Sequence, residues 1–125
     1  MYQLRVETEF SAAHFLSHHH GKCENLHGHN YTVRLWVRGP ELSEGGMLID
    51  FSLIKKTLRE VISALDHSTL NEMEIFQNDP SAERIARYIF DEVREKLPLH
   101  ETPGLVLEAV DVFENKDCMA RYSPI

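Results

Sequence analysis

The sequence predicts an α+β domain, and three observations carry that expectation. Two long early segments alternate polar and apolar residues, two later segments place apolar residues at helical spacing, and the tail returns to β-branched richness. In order the elements read strand, strand, helix, helix, strand, strand, which suits a four-stranded antiparallel sheet with two helices on one face. At 125 residues, 42% of them hydrophobic, the chain has the size of one domain, and a single domain over residues 1–125 is expected.

The first strand runs from Tyr2 to His14. Its even positions are Tyr2, Leu4, Val6, Thr8, Phe10, Ala12 and His14, and its odd ones are Gln3, Arg5, Glu7, Glu9 and Ser11. Successive strand side chains point to opposite faces, so the even set is the buried one. The second strand spans His27 to Val37 with His27, His29, Tyr31, Val33, Leu35 and Val37 inward and Asn30, Thr32 and Arg34 between them. "GPELSEGG" then breaks the chain as a loop. Asp50 to Leu65 reads as an amphipathic helix, with Asp50 as N-cap and Phe51, Ile54, Leu58, Val61, Ile62 and Leu65 on one stripe. A second helix is expected from about Pro80 to Leu97: Asp79-Pro80 supplies a cap and a first-turn proline, and Ile85, Ile89, Val93 and Leu97 form the stripe. Pro98 ends it. In "LVLEAVDVFENKDCMARY" two strands flank a turn around Asn115-Lys116, and both parities of the first carry apolar residues, so its faces stay unassigned.

Composition excludes several classes. No run approaches the roughly 18 apolar residues of a membrane span, and the opening "MYQLRVETEF" has no signal-like apolar region. A soluble, cytoplasmic protein is expected. Two cysteines, Cys23 and Cys118, do not make the disulfide framework of a small secreted domain. The formal net charge of −7 argues against a nucleic-acid surface, and an anionic ligand would need locally gathered Lys, Arg or His.

Chemistry concentrates in "CENLHGHN", Cys23 to Asn30. His27 and His29 are two apart on a strand, so both point inward, and His14 lies on the inward parity of the neighbouring strand. Three neutral imidazoles converging at the end of the sheet make a three-ligand zinc site with one position open. Cys23 lies in the preceding polar loop. It either completes a closed structural site of one cysteine and three histidines or stands off the metal as a base or nucleophile. His18, His19 and His20 have no element spacing and read as a solvated loop face, with a secondary metal patch as the weaker alternative. Asp66-His67 is either an oriented general base or a cation near a helix C-terminus with a solvated partner. Glu114, at a strand end, is an ordinary turn acid unless a ligand needs a carboxylate.

"FSAAH", "CENLHGHNY", "GMLIDF", "LDHSTLN", "PSAERIA" and "VFENKDCMARY" follow one another in the order seen in the 6-pyruvoyl-tetrahydropterin synthase family, and the chain resembles that family from end to end. The short gap between Cys23 and His27 is similar to that of the bacterial 6-carboxytetrahydropterin synthases of the queuosine and deazapurine pathway. A variant group that uses a glutamate near this loop is not matched, because Cys23 is present beside Glu24. The resemblance implies the tunnelling fold, with trimers closing a barrel and two trimers stacking into a homohexamer. The charged outward parity, Arg5, Glu7, Glu9, Arg34 and Arg38, would suit a solvated lumen.

It also implies a reaction and a set of roles. The substrate would be 7,8-dihydroneopterin triphosphate and the products 6-carboxy-5,6,7,8-tetrahydropterin, acetaldehyde and triphosphate. Zn2+ would sit on His14, His27 and His29. Cys23 would act as general base, and His67, oriented by Asp66, as its acid or base partner, facing a neighbouring subunit's copy of the loop. Glu114 would hold the pterin. The family commonly has threonine after that glutamate, where this chain has Asn115, and no spacing singles out Lys22, Lys116 or Arg121 for the triphosphate. The alternatives are 6-pyruvoyl-tetrahydropterin as product, or a non-catalytic zinc-stabilised module that binds a pterin or a protein.

Overall fold

The computed structural model describes residues 1–18, 21 and 24–124; His19, His20, Lys22, Cys23 and Ile125 lie outside the described residues. β1 (Tyr2–His14) and β2 (His27–Gly39) run antiparallel, from Tyr2 opposite Gly39 to His14 opposite His27. The period-two reading of both strands holds: Val6, Phe10 and Ala12 of β1, and Tyr31, Val33, Leu35 and Val37 of β2, are buried in the core. Phe10 faces Tyr31 across the ladder, and their rings stack with centroids 4.7 Å apart. Burying each such side chain contributes roughly 1.5–3 kcal/mol relative to exposure.

Helix α1 (Phe51–Ser63) starts at Asp50, whose carboxylate accepts the Ser52 N–H, and it buries Ile54, Thr57, Leu58, Val61 and Ile62. Leu65, beyond the helix end, is buried too. Helix α2 (Ala82–Lys96) buries Ile85, Ala86, Ile89, Phe90 and Val93. Its N-cap is Ser81, whose hydroxyl accepts the Arg84 N–H at 3.2 Å, rather than Asp79. Asp79 is turned the other way, onto the segment that follows β1. α1 packs on β1, α2 on β4 (Val106–Asn115) and β5 (Cys118–Tyr122), and the two helices touch each other. No helix among the described residues is long and apolar enough to cross a membrane.

The sheet has five strands rather than four: with β3 (Ser68–Thr69) added, the order is β3-β1-β2-β4-β5. The added strand β3 is only Ser68–Thr69, and it lies parallel to β1 with Ser68 beside Ala12 and Thr69 beside Ala13. It forms because His67 takes a left-handed conformation (φ 56°) and donates its backbone N–H to the Ser11 carbonyl. Two residues are too few to show a period in sequence.

Two bulges shape β4. Trp36 pairs with Ala109 but Val37 with Leu107, so Glu108 is an extra residue and the inward parity changes from odd (Leu107) to even (Val110, Val112). This explains why both parities of the segment are apolar. Further on, Phe113 pairs with Met119 but Asn115 with Cys118, which leaves Glu114 as a second extra residue. Bulges of this kind re-aim a side chain and are common beside functional sites.

Candidate metal centre

β1 and β2 bring the three histidines together at one end of the ladder. His14 and His27 are direct cross-strand partners, and His29 shares the inward face of β2. The ring centroids lie 4.6 Å (His14–His27), 5.1 Å (His14–His29) and 4.8 Å (His27–His29) apart, and one ring nitrogen of each falls within 4.8 Å of the others. Each ring is oriented by its surroundings. His14, 1% exposed, has its Nδ1 2.8 Å from the Pro80 carbonyl oxygen, and His27 has its Nδ1 2.6 Å from the Asn25 carbonyl oxygen. A carbonyl can only accept, so both Nδ1 atoms carry the proton and both Nε2 lone pairs are free. The Tyr31 hydroxyl sits 3.2 Å from the same His14 Nδ1 and fills the space behind it.

Burial holds His14 and His29 below the ordinary imidazole value, against the opposing pull of the Glu114 carboxylate, so both are neutral near pH 7. Burial likewise pushes the Tyr31 phenol well up. The His29 Nε2 is buried without a hydrogen-bond partner among the described residues. A buried ring nitrogen left unpaired in this way is costly unless a ligand or an ion meets it. Imidazoles held by carbonyls behind them, as His14 and His27 are, are how proteins present nitrogen to zinc and similar metals, and a set of three histidines leaves a coordination position open. The residues present therefore fit a divalent metal ion.

Glu114 joins this cluster. Its Oε1 lies 3.8 Å from the His14 Nε2 and its Oε2 3.9 Å from the His29 Nε2. The sequence reading assigns Glu114 to a ligand without connecting it to the histidines. The parity it shares with Val110 and Val112 is the available signal, hidden by the unread bulge. Glu114 also lines a cavity of about 370 Å³ with Ala82, Glu83, Cys118, Ala120 and Arg121. Arg121 itself is engaged by the buried Asp111, at 2.6 and 3.0 Å.

Asp66 and His67 form the side-chain pair expected of them, with the Asp66 Oδ2 3.0 Å from the His67 Nδ1. The Asp66 Oδ1 accepts the Ser11 N–H at 2.9 Å, and that bond, with the imidazole beside it, holds the carboxyl below the usual range. The pair belongs to the turn into β3 rather than to the last turn of α1. His67 is 82% exposed and lines an open groove of about 520 Å³ with Ser11, Ala13, His29 and Asn30. Thus His29 borders one depression and Glu114 the other. Cys23, the candidate base, lies outside the described residues, as do His19 and His20.

Two positioning residues escape the sequence reading. Asn71 accepts the Phe15 N–H and donates to the Phe15 carbonyl, both at 2.9 Å. The Asp79 carboxylate accepts from the Ser17 and His18 backbones, the Ser17 hydroxyl and the His18 imidazole. The His18 bond above all pulls the Asp79 carboxyl down to about 2. Together they anchor the chain as it leaves His14. Asn71 sits inside the motif "LDHSTLN", where the aspartate and histidine draw the attention.

Fold and site together define a tunnelling-fold protein whose sheet ends in a three-histidine metal-capable centre. The family model for 6-pyruvoyl tetrahydropterin synthase matches residues 3–124, and the chain belongs to that family. It is 39% identical to the 6-carboxy-5,6,7,8-tetrahydropterin synthase of Synechocystis sp., over 98% of this chain and 93% of that one. It is 37% identical to the Bacillus subtilis protein of the same name, over 98% and 86%. Its fold matches the structure of Caenorhabditis elegans 6-pyruvoyl tetrahydropterin synthase with a TM-score of 0.87 at 26% identity, over 99% and 96% of the two chains.

Proposed function

We propose that the protein is a zinc-dependent 6-carboxy-5,6,7,8-tetrahydropterin synthase that converts 7,8-dihydroneopterin triphosphate to 6-carboxytetrahydropterin, acetaldehyde and triphosphate, acting as one domain over residues 1–125. The observation that carries the reading is the convergence of three histidines on a chain whose relatives bear that name across nearly their whole length. His14, His27 and His29 would hold the zinc, which when bound supplies a Lewis acid toward the side-chain oxygens of the substrate.

The remaining roles fall to the chain itself. Cys23 takes protons from the substrate side-chain carbons as a general base. His67, oriented through its Nδ1 by Asp66, presents its other nitrogen to the groove and returns or removes a proton there. Glu114 accepts two parallel N–H bonds from the amino-pyrimidinone edge of the pterin. His67 stands exposed beside the half-buried Asp66, which suits a site completed by a neighbour in a homohexamer of two trimers. The product then belongs to the queuosine pathway, in the cytoplasm.

Mass spectrometry of the products formed from 7,8-dihydroneopterin triphosphate by zinc-loaded protein tests the reading. Carboxytetrahydropterin with acetaldehyde is the expected result. The pyruvoyl product would keep the site and change the reaction, while unchanged substrate with zinc bound would leave a non-catalytic zinc-stabilised module.

A further inference from the structure

The position of Glu114 relative to the histidines carries more than substrate binding. The His14 Nδ1 proton is committed to Pro80, so the His14 Nε2 presents a bare lone pair. Across 3.8 Å it meets a carboxylate oxygen, which also offers only lone pairs, and the buried His29 Nε2 meets the second oxygen at 3.9 Å. Both gaps are too long for hydrogen bonds. At His14 two acceptors therefore face one another, and such a pair repels unless a cation lies between them.

Two ligand atoms about 2.0–2.2 Å from one tetrahedral zinc lie roughly 3.3–3.6 Å apart. The Glu114 oxygens, 3.8 and 3.9 Å from two of the histidine nitrogens, stand a few tenths of an ångström outside that spacing and inside the 4.8 Å that bounds the separations of the histidine nitrogens themselves. Glu114 also lines the neighbouring cavity and is only 28% exposed, so it reaches the metal centre and the cavity from one position at a strand bulge.

We propose that Glu114 is a reversible fourth ligand: its carboxylate closes the three-histidine metal while the cavity is vacant, and a pterin that takes the carboxylate opens the metal for its own side chain. The exchange rests on the pterin-binding role assigned to Glu114 above. It makes the open coordination position conditional on the correct ring being bound. No bond within the chain or the pterin forms or breaks, and only the metal–carboxylate contact is exchanged for N–H···O bonds.

Metal binding tests this without turnover. Zinc affinity is measured by competition with a chromophoric chelator, and geometry by the visible bands of the cobalt(II)-loaded protein, in the native chain, Glu114→Gln and Glu114→Asp. Expected is a roughly 10–100-fold loss of zinc affinity and weaker, less tetrahedral cobalt bands in both variants. Glu114→Asp keeps the charge but shortens the reach, so retention of native affinity there would reduce the effect to charge and overturn ligation. Circular dichroism of the metal-free variants shows that they fold. Native affinity and an unchanged cobalt spectrum in Glu114→Gln would overturn the proposal outright.

Unsubstituted pterin, which has no side chain to reach the metal, should shift the cobalt bands of the native protein and leave those of Glu114→Gln unchanged. A silent native spectrum at saturating pterin would overturn the exchange. Failure of the proposed reaction reads differently: no product from the triphosphate substrate, with the pterin-dependent cobalt shift intact.

Discussion

The His14 imidazole and the Pro80 carbonyl are joined by a 2.8 Å hydrogen bond that ties the end of β1 to the residue before the α2 cap. It fixes which nitrogen of His14 faces the metal centre, and burial keeps that ring neutral. His29 is held neutral by burial as well. As pH falls past the ordinary imidazole value of 6.5, the unfolded chain takes up protons that the folded chain refuses. The metal-free protein should therefore lose stability as pH drops below 6.5, down to the lower folded-state values. Urea midpoints between about pH 8 and 5 check this, and a midpoint that stays flat or rises on acidification contradicts it.

Cys23→Ala should retain stoichiometric zinc and lose turnover, whereas His27→Ala should lose both. Metal analysis of the purified variants, beside activity, separates a chemical thiol from a structural one. Zinc stripped from Cys23→Ala would mean a closed site of one cysteine and three histidines and end the proposed role of the cysteine as base.

In Asp66→Asn the Ser11 N–H keeps an acceptor, but His67 loses the carboxylate at its Nδ1. A fall in kcat of about 10²-fold is expected, with KM and zinc content little changed, in line with the contribution of one general acid–base group. Steady-state kinetics of the variant beside the native protein check this. Unchanged kcat would return the pair to a solvated turn.

Trp36→Phe addresses the uncovered face of the sheet. Asp111 is 2% exposed and accepts from the Trp36 indole at 2.8 Å and twice from Arg121. Removing the indole N–H leaves part of a buried carboxylate unsatisfied, at a cost of about 1–3 kcal/mol. Chemical denaturation should register that loss while zinc affinity stays native, since Trp36 points away from the face that carries the histidines.

Much of the metal centre could be read before any coordinates, because strand geometry leaves little freedom. His27 and His29 two apart must share a face, and the antiparallel register carries His14 opposite His27. Asp50 is legible as a cap for a similar local reason. What escapes depends on contacts far apart in sequence. Asp79 looks like the cap of α2, but Ser17 and His18, far back in the chain, claim its carboxylate and leave Ser81 to cap the helix. The approach of Glu114 to two histidines requires the sheet order and the bulges in β4, and alternation in a single strand cannot reveal an inserted residue. β3 exists only because His67 adopts a positive φ and meets Ser11.

That two-residue strand divides the molecule by how readily its parts open. His14, His27 and His29 sit at one end of two 13-residue strands that lie inside the sheet, whose central amides should exchange with solvent only through global unfolding. Asp66 and His67 hang from the sheet edge, held to β1 over the short span from Ser11 to Ala13, which can detach at smaller free energy. The pair proposed to move protons thus rides on the more easily opened part of the sheet, and the three histidines on its better protected strands.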